Sequence, residues 1–334
     1  MRLLQFFDER AAAGSPLVLV SVFETRGSTY SKAGAQMIID GDGQFSGMLS
    51  GGCLEGDLVE RARHVINTGV AETATYDLGA DDELWGLGVG CDGTMRILLQ
   101  PLTPEHGYQP FAAIADIING TEPAILAIVT ETESAEIRAG ASLVSHCGEL
   151  QMFGIDGAVV RHIAKEITET DAGETRRLET PAGRCDVVFL AVKPPPSLLI
   201  LGAGPDAEPV ARFAAELGWR LTVCDHRPAY IDSRVLPQGV AAHCCPASAL
   251  AELVSLDTFD VAIVMSHHLA SDRAYLAQLA MTGIGYVGLL GPAGRRDRLL
   301  GESTSLAKKL EGRLHAPAGI DFGGRGPGPI ALSI

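Results

Sequence analysis

A cysteine in the first half of the chain stands in a glycine-rich setting that suits sulfur chemistry. Cys53 follows Gly51 and Gly52, and Glu55 comes two residues later. Paired glycines reach positive φ and let the backbone lie close to a ligand, and Glu55 is a residue type that begins helices. A thiol at the start of a helix lies at the positive end of the helix dipole, which favours the thiolate. The motif predicts a reactive or ligating sulfur.

A second Gly-Cys unit, at residues 90–93, carries Cys91 and Asp92 and repeats this chemistry in the same half. The chain has seven cysteines, but none forms a CxxC pair or a zinc-finger spacing, so a structural zinc site is not expected. Cys185 and Cys224 lie in apolar, strand-like runs, and we predict that both are buried.

The second half carries a dinucleotide-type glycine loop. Gly202, Gly204 and Ala207 follow a predicted strand and open a predicted helix, which is the context that gives a GxGxxA string its meaning. Asp225 stands at the end of the next strand, where an acid binds ribose hydroxyls. The alternative is that the glycines only build the turn of a Rossmann-like fold.

Neighbouring residues change the charge of this loop. Pro205 removes an amide from the anion-binding turn, and Asp206 adds a negative charge where a phosphate would lie. Arg227 partly offsets that charge and is a candidate for binding the phosphate of another cofactor. His267 follows a later strand of the same half, and it is a candidate for binding a metal, moving a proton or contacting a phosphate.

Hydrophobic patterning shows which elements must position these residues. Three prolines at 194–196 mark a boundary between a domain at 1–193 and a domain at 197–334. In the second domain, apolar strands at 198–201, 221–224, 261–265 and 286–290 alternate with helices at 207–217 and 271–281. This pattern predicts a Rossmann-like, doubly wound parallel sheet.

The first domain is less regular. Strands are predicted at 17–24, 36–39, 71–76, 95–99, 125–130 and 187–192, with helices at 55–67 and 158–167. We interpret it as an α+β domain, so that the whole chain is of the α/β class. No internal repeat is visible in the sequence.

The length and net charge of the chain limit its number of domains and the classes of partner that it can bind. The 334 residues suggest two domains, and 26 basic against 41 acidic residues give a net charge of −15. A strongly acidic chain repels nucleic acid and anionic membranes, so neither is expected as a partner. The N-terminus lacks a secretory pattern and no apolar run could span a bilayer, which predicts a cytoplasmic protein.

Taken together, the motifs resemble the XdhC/CoxI family, the maturation factors of xanthine dehydrogenase and related molybdenum hydroxylases. In the first half the matching strings are RGST at 26–29, Gly-Ala at 34–35, LSGGCLE at 49–55 and residues 88–93. In the second half they are GAGPDA at 202–207, DHRP at 225–228, MSH at 265–267, YVGLLG at 286–291, PAGID at 317–321 and ALSI at 331–334. The resemblance covers nearly the whole chain.

The resemblance implies a chaperone that binds molybdenum cofactor, protects it while it receives a terminal sulfur, and helps to insert it into an apo-hydroxylase. It implies a xanthine dehydrogenase-like hydroxylase and a cysteine desulfurase as partners, a homodimer, and an accessory role in place of turnover. Cys53 and Cys91 are then candidate contacts for molybdenum or sulfur. Glu55 and Asp92 are candidates for hydrogen bonds to the pterin edge or to the thiol, and the glycine turns with Arg227 are candidates for binding the phosphate.

The chain departs from the family pattern at two places. Residues 291–297 replace a Gly-Ser-Arg-Arg-Lys type string, and residues 325–329 replace an acidic, helix-starting stretch. Two other functions stay open. An NAD(P)-dependent oxidoreductase explains Gly202, Gly204 and Asp225 but leaves the cysteine motifs unexplained, and a scaffold protein would make the cysteines core residues.

Overall fold

The computed structural model describes residues 2–79, 93–155, 157–167, 173–232, 236–301, 304–321 and 323–334. The chain divides into two compact units, Met1–Pro194 and Pro195–Ile334. Antiparallel sheets build the first unit and a parallel sheet builds the second, which confirms the predicted fold class. None of the helices formed by these described residues is long and apolar enough to cross a membrane.

The first unit contains two five-stranded antiparallel sheets. Its first half comprises α1 (Arg2–Ala12), β1 (Leu17–Arg26), β2 (Gln36–Asp40), β3 (Phe45–Gly47), α2 (Glu55–Thr68), β4 (Glu72–Asp77) and β5 (Thr94–Leu102). Its second half comprises α3 (Phe111–Asn119), β6 (Ala124–Thr132), β7 (Ser142–His146), β8 (Glu149–Phe153), α4 (Gly157–Ile167), β9 (Thr175–Thr180) and β10 (Gly183–Val192). All predicted strands and helices of this unit are present, whereas the edge strands β3, β8 and β9, the inner strand β7 and the helices α1 and α3 were missed.

The two halves of the first unit repeat one architecture. The sheet orders are β3-β2-β1-β5-β4 and β8-β7-β6-β10-β9, so each half runs helix, three strands, helix, two strands. Each sheet has one bulge, and it falls at the same place: Phe23 is the extra residue of β1 and Thr130 that of β6. The expectation of a chain without repeats is therefore wrong at the level of structure.

Identical backbone hydrogen bonds close the loop after the first strand of each half. The amide of Gly34 donates to the carbonyl of Val22, and that of Gly140 donates to the carbonyl of Val129, both at 2.8 Å. Both glycines have positive φ, at 95° and 88°. Because the bulge and the loop are shared, the chain that follows the first strand, β1 in one half and β6 in the other, lies at the same corner of its sheet in both halves.

The core explains why the strands of this unit read as unbroken apolar runs. One cluster lies between the two sheets and takes Leu19 from β1, Leu126 from β6, and Phe7 and Phe111 from the helices α1 and α3. Two further clusters pack the outer face of each sheet against α2 and α4. Because both faces of each sheet are covered, successive residues of the central strands are apolar.

The second unit is a six-stranded parallel sheet in the order β13-β12-β11-β14-β15-β16. Its strands are β11 (Ser197–Leu201), β12 (Arg220–Asp225), β13 (Ala241–Cys244), β14 (Val261–Val264), β15 (Tyr286–Leu289) and β16 (Leu314–His315). Its helices are α5 (Ala207–Glu216), α6 (Pro228–Asp232), α7 (Leu250–Leu253), α8 (Leu269–Leu279), α9 (Ala293–Leu300), α10 (Thr304–Lys309) and α11 (Pro327–Ser333). Apolar clusters cover both faces of the sheet, as in doubly wound folds.

The structure confirms one local prediction and shows the conformation of one segment that departs from the family pattern. Cys185 and Cys224 are buried within β10 and β12, as their apolar surroundings predicted. The glycine- and proline-rich stretch at 325–329, which departs from the family pattern, runs into the helix α11, because proline suits the first turn of a helix.

Replacing Phe111 by alanine tests the shared core of the first unit. Phe111 is fully buried and meets the Phe7 ring edge-on at a centroid distance of 4.8 Å. We expect Phe111→Ala to lower the free energy of unfolding by about 3–5 kcal/mol through loss of buried surface and a residual cavity. Chemical denaturation followed by circular dichroism measures this, with Phe45→Ala, on the exposed edge strand β3, as the control expected to change little. Equal effects of both changes would contradict the layered core.

Candidate functional site

The glutamate that ends the SGGCLE motif is enclosed by the loop before it. We call residues 47–54, between β3 and α2, the cysteine loop. Glu55 is 6% exposed, and its Oε1 accepts hydrogen bonds from the amides of Leu49 at 3.2 Å and Ser50 at 3.0 Å. Its Oε2 accepts from the Ser50 hydroxyl at 2.5 Å and from the Gly52 amide at 3.0 Å. We call this set of four bonds the Glu55 clasp.

The clasp explains the ionisation of its carboxylate. Burial alone would raise the pKa of Glu55, but the hydrogen bonds from the Ser50 hydroxyl and the loop amides outweigh it and hold the pKa below its usual range. The carboxylate is therefore charged at neutral pH and both its oxygens are used within the protein. Glu55 was predicted as a contact for the pterin edge or the thiol; in the structure both its oxygens bond groups of the cysteine loop.

The clasp leaves the middle of the cysteine loop open to solvent. Gly51 and Gly52 are exposed and have φ of 77° and 114°, which favour glycine. Cys53 is half-buried and follows them directly. The next residue is Leu54, whose amide donates to the Ser50 hydroxyl oxygen at 2.8 Å. A free thiol thus lies beside two accessible glycine peptides at the start of α2, as the sequence predicted.

Other loops meet the cysteine loop at the same corner of the sheet. The Ser31 hydroxyl, in the loop after β1, donates to the carbonyl of Met48 at 3.3 Å. Gly93, which precedes β5, lies so close to the loop after β1 that a Cβ atom there would come within 2.4 Å of the Ser28 carbonyl. Cys91 and Asp92, the second predicted Gly-Cys unit, lie outside the described residues. Within the part of the chain that the structure describes, no three His, Cys, Asp or Glu side chains form a metal-binding group.

The second unit brings its predicted residues to the carboxyl edge of the parallel sheet. The chain reverses its winding between β11 and β14, which is where open α/β sheets bind ligands. Gly202 follows β11 with φ of 117°, and a Cβ atom there would lie 2.5 Å from the Ser266 Cα. Gly202 is therefore required for the close packing of this loop on the loop after β14.

Asp225 is turned inward and does not offer its carboxylate to a ligand. It is completely buried at the end of β12. One oxygen accepts from the Ala203 amide of the glycine loop at 2.7 Å, and Arg227 bonds both oxygens at 2.9 and 2.8 Å. Burial would raise the pKa of Asp225, but the bonds from Arg227 and Ala203 lower it. The predicted ribose acceptor thus has its acceptor positions filled by an amide and a guanidinium of its own unit.

His267 lies over the glycine loop in a conformation that is rare for its residue type. It has φ of 59°, and its Nε2 lies 2.9 Å from a carboxylate oxygen of Asp206. Its side chain is 56% exposed. The histidine and the acid that the sequence placed at this loop are therefore within hydrogen-bonding distance of each other, beside Gly204, where a Cβ atom would lie 3.7 Å from Cδ2 of the His267 ring.

The remaining basic residues are also engaged. Arg227 stacks over the Tyr230 ring at 3.9 Å from its centroid. Arg295, in the segment that departs from the family string, pairs with the buried Asp272, which in turn accepts from the Ser266 hydroxyl. Sequence reasoning missed this Ser266–Asp272–Arg295 chain, because an acid in the first turn of α8 reads as an ordinary helix start.

The predicted site residues thus fall into two groups. Gly51, Gly52, Cys53 and Glu55 share the cysteine loop of the first unit, and Gly202, Gly204, Asp225, Arg227 and His267 share the sheet edge of the second. In each group a buried carboxylate bonds the amides of a glycine loop. The sequence signal for this was present, since an acid begins the helix after the first loop and another acid ends the strand that follows the second loop. Each acid is equally compatible with a ligand contact.

Comparisons with known proteins follow the same division. The family model described as XdhC and CoxI family matches residues 10–77, and the model described as XdhC Rossmann domain matches residues 198–334. A Bacillus subtilis protein described as a probable xanthine dehydrogenase subunit is 30% identical over 321 residues, which is 95% of this chain and 90% of that protein.

Two further proteins extend the comparison. An Escherichia coli protein described as the molybdenum cofactor insertion chaperone PaoD is 28% identical over 121 residues, 36% of each chain. A crystal structure from Bacillus halodurans, described as a xanthine dehydrogenase, superposes with a TM-score of 0.82 at 27% identity and covers 100% of this chain and 93% of its own.

Replacing Glu55 by glutamine tests the clasp and its charge. We expect Glu55→Gln to lower the free energy of unfolding at pH 7 by about 1–3 kcal/mol, because charged hydrogen bonds are lost in a buried site. A lowered folded-state pKa gives stability above the ordinary glutamate pKa of about 4.3 and loses it as the pH falls through the folded value. The difference between the two proteins should therefore shrink on acidification. Chemical denaturation across pH measures both.

The matched control for this change is Glu60→Gln on the exposed side of the same helix. Glu60 pairs only with Arg63 at the surface, and we expect a change of about 0.5 kcal/mol or less. A pH-independent difference between Glu55→Gln and the natural protein would show that the carboxylate charge does not hold the loop.

Replacing Asp225 by asparagine tests whether this residue is structural. The change leaves Arg227 facing an amide, and we expect a loss of about 2 kcal/mol or more of unfolding free energy. Asp297→Asn, which affects only an exposed pair with Arg296, is the control measured in the same denaturation series. An unchanged stability with a loss of ligand binding would assign Asp225 to a ligand instead.

Proposed function

The chain belongs to the XdhC and CoxI family, and we propose from this membership that it is an accessory protein that binds molybdenum cofactor for a molybdenum hydroxylase. The observation that carries the proposal is the cysteine loop: a half-buried free thiol beside two exposed glycines, fixed from below by the Glu55 clasp. Thiolate sulfur is a soft ligand suited to molybdenum and to sulfur transfer.

Each residue of the loop takes a defined role in this proposal. Cys53 contacts the metal or its terminal sulfur, and Gly51 and Gly52 let the cofactor approach the backbone. Glu55 does not touch the cofactor but holds the loop in the conformation that exposes Cys53. Cys91 and Asp92 stay proposed contacts on the strength of the family resemblance alone.

We propose that the chain has two domains, at 1–193 and at 197–334. We also propose that the second domain binds an anion at the carboxyl edge of its sheet. Arg227 and His267 are the proposed phosphate contacts there, with Gly202 and Gly204 shaping the loop. Asp225 orients Arg227 through its two hydrogen bonds. An NAD(P)-dependent oxidoreductase is disfavoured, because Asp225 is buried and already bonded by Ala203 and Arg227.

The descriptions of two relatives support an accessory role for a molybdenum hydroxylase. The Escherichia coli chaperone is described as acting in molybdenum cofactor insertion, and the Bacillus subtilis relative is described as a probable part of a xanthine dehydrogenase. We propose that the chain protects the cofactor during sulfuration by a cysteine desulfurase and delivers it to a xanthine dehydrogenase-like apoenzyme. We further propose that it does so as a homodimer in the cytoplasm, without a turnover reaction of its own.

Cofactor retention tests the proposal directly. Molybdenum cofactor released from a molybdenum enzyme is mixed anaerobically with the reduced protein, and molybdenum retained after ultrafiltration is counted. We expect near-stoichiometric retention by the natural chain and a loss of about ten-fold or more in affinity for Cys53→Ser, since serine cannot replace a thiolate ligand.

Cys147→Ser is the matched control, because Cys147 is an exposed free cysteine of the same unit. It should retain the cofactor as the natural protein does. Absence of retention by the natural protein, with saturable NAD(P) binding measured by calorimetry, would replace the carrier function by the oxidoreductase. Retention that survives Cys53→Ser would remove the cysteine from the site.

A further inference from the structure

An aromatic side chain stands open to solvent beside the cysteine loop. Tyr30 is 62% exposed, which makes it the most exposed aromatic among the large apolar side chains of the described residues. It lies in the loop after β1, between Thr29, which is buried, and Ser31. A large apolar ring left in water has no folding benefit at this position, so its surface is available for a ligand.

The loop holds Tyr30 in place through the residues on both sides of it. The Thr29 hydroxyl donates to the Ser31 carbonyl at 2.8 Å and accepts from the Lys32 ammonium at 3.2 Å. The Ser31 hydroxyl donates to the Met48 carbonyl at the start of the cysteine loop. Tyr30 is therefore carried on a loop segment that is bonded to the cysteine loop itself.

The tyrosine ring faces the cysteine loop at Gly51. A Cβ atom built on Gly51 would lie 3.4, 3.5 and 3.8 Å from Cε2, Cδ2 and Cζ of the Tyr30 ring. Three neighbouring ring atoms at nearly equal distances show that the face of the ring, and not its edge, is turned toward the side of Gly51 where other residues carry a side chain. Cys53 follows two residues later, and the large exposed surface of Tyr30 shows that much of the ring stays uncovered.

We propose that Tyr30 is the surface on which the planar pterin ring of molybdenum cofactor stacks, beside the thiol loop that contacts its metal end. This inference rests on the proposed function and names a binding residue for it. Flat heteroaromatic rings bind exposed aromatic side chains by stacking, as nucleobases do. The exposed side chain of Met48, at the same corner, adds a polarizable apolar contact.

Charge at this corner agrees with an anionic ligand. The chain as a whole carries −15, yet the end of β1 and the loop after it carry two exposed cations, Arg26 and Lys32. Arg26 is paired with Glu24 at 2.8 Å, whereas the Lys32 ammonium is bonded to the neutral Thr29 hydroxyl. Lys32 therefore keeps its charge for an anion such as the phosphate of the cofactor.

A set of Tyr30 variants tests this stacking. In the anaerobic retention assay with released molybdenum cofactor, we expect Tyr30→Leu to weaken binding by roughly ten-fold, the scale of one lost ring stack. Tyr30→Phe keeps the ring and should bind within about two-fold of the natural protein. Quenching of the fluorescence of 6-hydroxymethylpterin, which has neither metal nor phosphate, should be kept by Tyr30→Phe and lost in Tyr30→Leu.

Controls separate this result from misfolding and from failure of the carrier function. Phe45→Leu changes another exposed aromatic of the same unit and should leave retention unchanged, and circular dichroism confirms that each variant folds. Natural protein that retains the cofactor while Tyr30→Leu retains it equally overturns the stacking proposal alone. Equal losses in Tyr30→Phe and Tyr30→Leu overturn it too, because they assign the effect to the hydroxyl. Natural protein that retains no cofactor overturns the carrier function itself.

Discussion

The buried carboxylate of Glu55 is the interaction on which the candidate site depends. A loop with two successive glycines at positive φ has many conformations in the unfolded chain, and ordering it costs more entropy than ordering most other residues. Four hydrogen bonds to one charged group offset that cost and fix the loop in a single shape. The thiol of Cys53 then keeps one position without using its own polar group. The motif is therefore a small anion-binding loop whose anion is supplied by the protein.

The second unit uses the same physical device at a different fold element. Asp225 accepts one hydrogen bond from an amide of the glycine loop and two from the Arg227 guanidinium. These bonds connect the loop after β11 to the end of β12. In dinucleotide-binding proteins the acid at this position is free for the ribose. Here the same residue type at the same spacing is buried, and the sequence alone does not distinguish the two, because the deciding donor, Arg227, is equally able to turn toward solvent. The spacing in the sequence predicted the glycine loop and its acid. Whether the carboxylate points into the protein or toward a ligand depends on tertiary packing, which the spacing does not show.

The fold was predictable from the sequence where burial requires a run of apolar residues, and it was not predictable where the strands are exposed. The central strands β1, β5, β6 and β10 are covered on both faces and appear in the sequence as apolar runs, and all were found. The strand β8 has only five residues and is exposed along nearly its whole length, so the brief alternation of Leu150 and Met152 with polar residues was too short to predict it. The duplication escaped for a related reason. Strand pairing requires an apolar or a polar residue at each position but not a particular amino acid, so little sequence similarity remains between the two halves. The similar stretch is short: Lys32-Ala33-Gly34-Ala35 in one copy and Arg138-Ala139-Gly140-Ala141 in the other.

The duplication also indicates where function was added. In both copies the loop after the first strand ends on a glycine whose amide donates a hydrogen bond back to the bulged strand that precedes the loop. In the first copy this loop carries Tyr30 and meets the cysteine loop, whereas at the corresponding corner of the second copy the chain after β8 reads Gly154-Ile155, with no cysteine. The proposed binding residues lie at only one of the two corresponding corners, so in this proposal the repeated frame supplies stability and geometry and the residues of the first copy supply the binding. The groups whose hydrogen bonds are filled, Glu55 and Asp225, belong to the frame; those left open, Cys53 and Tyr30, are the groups that a ligand can reach.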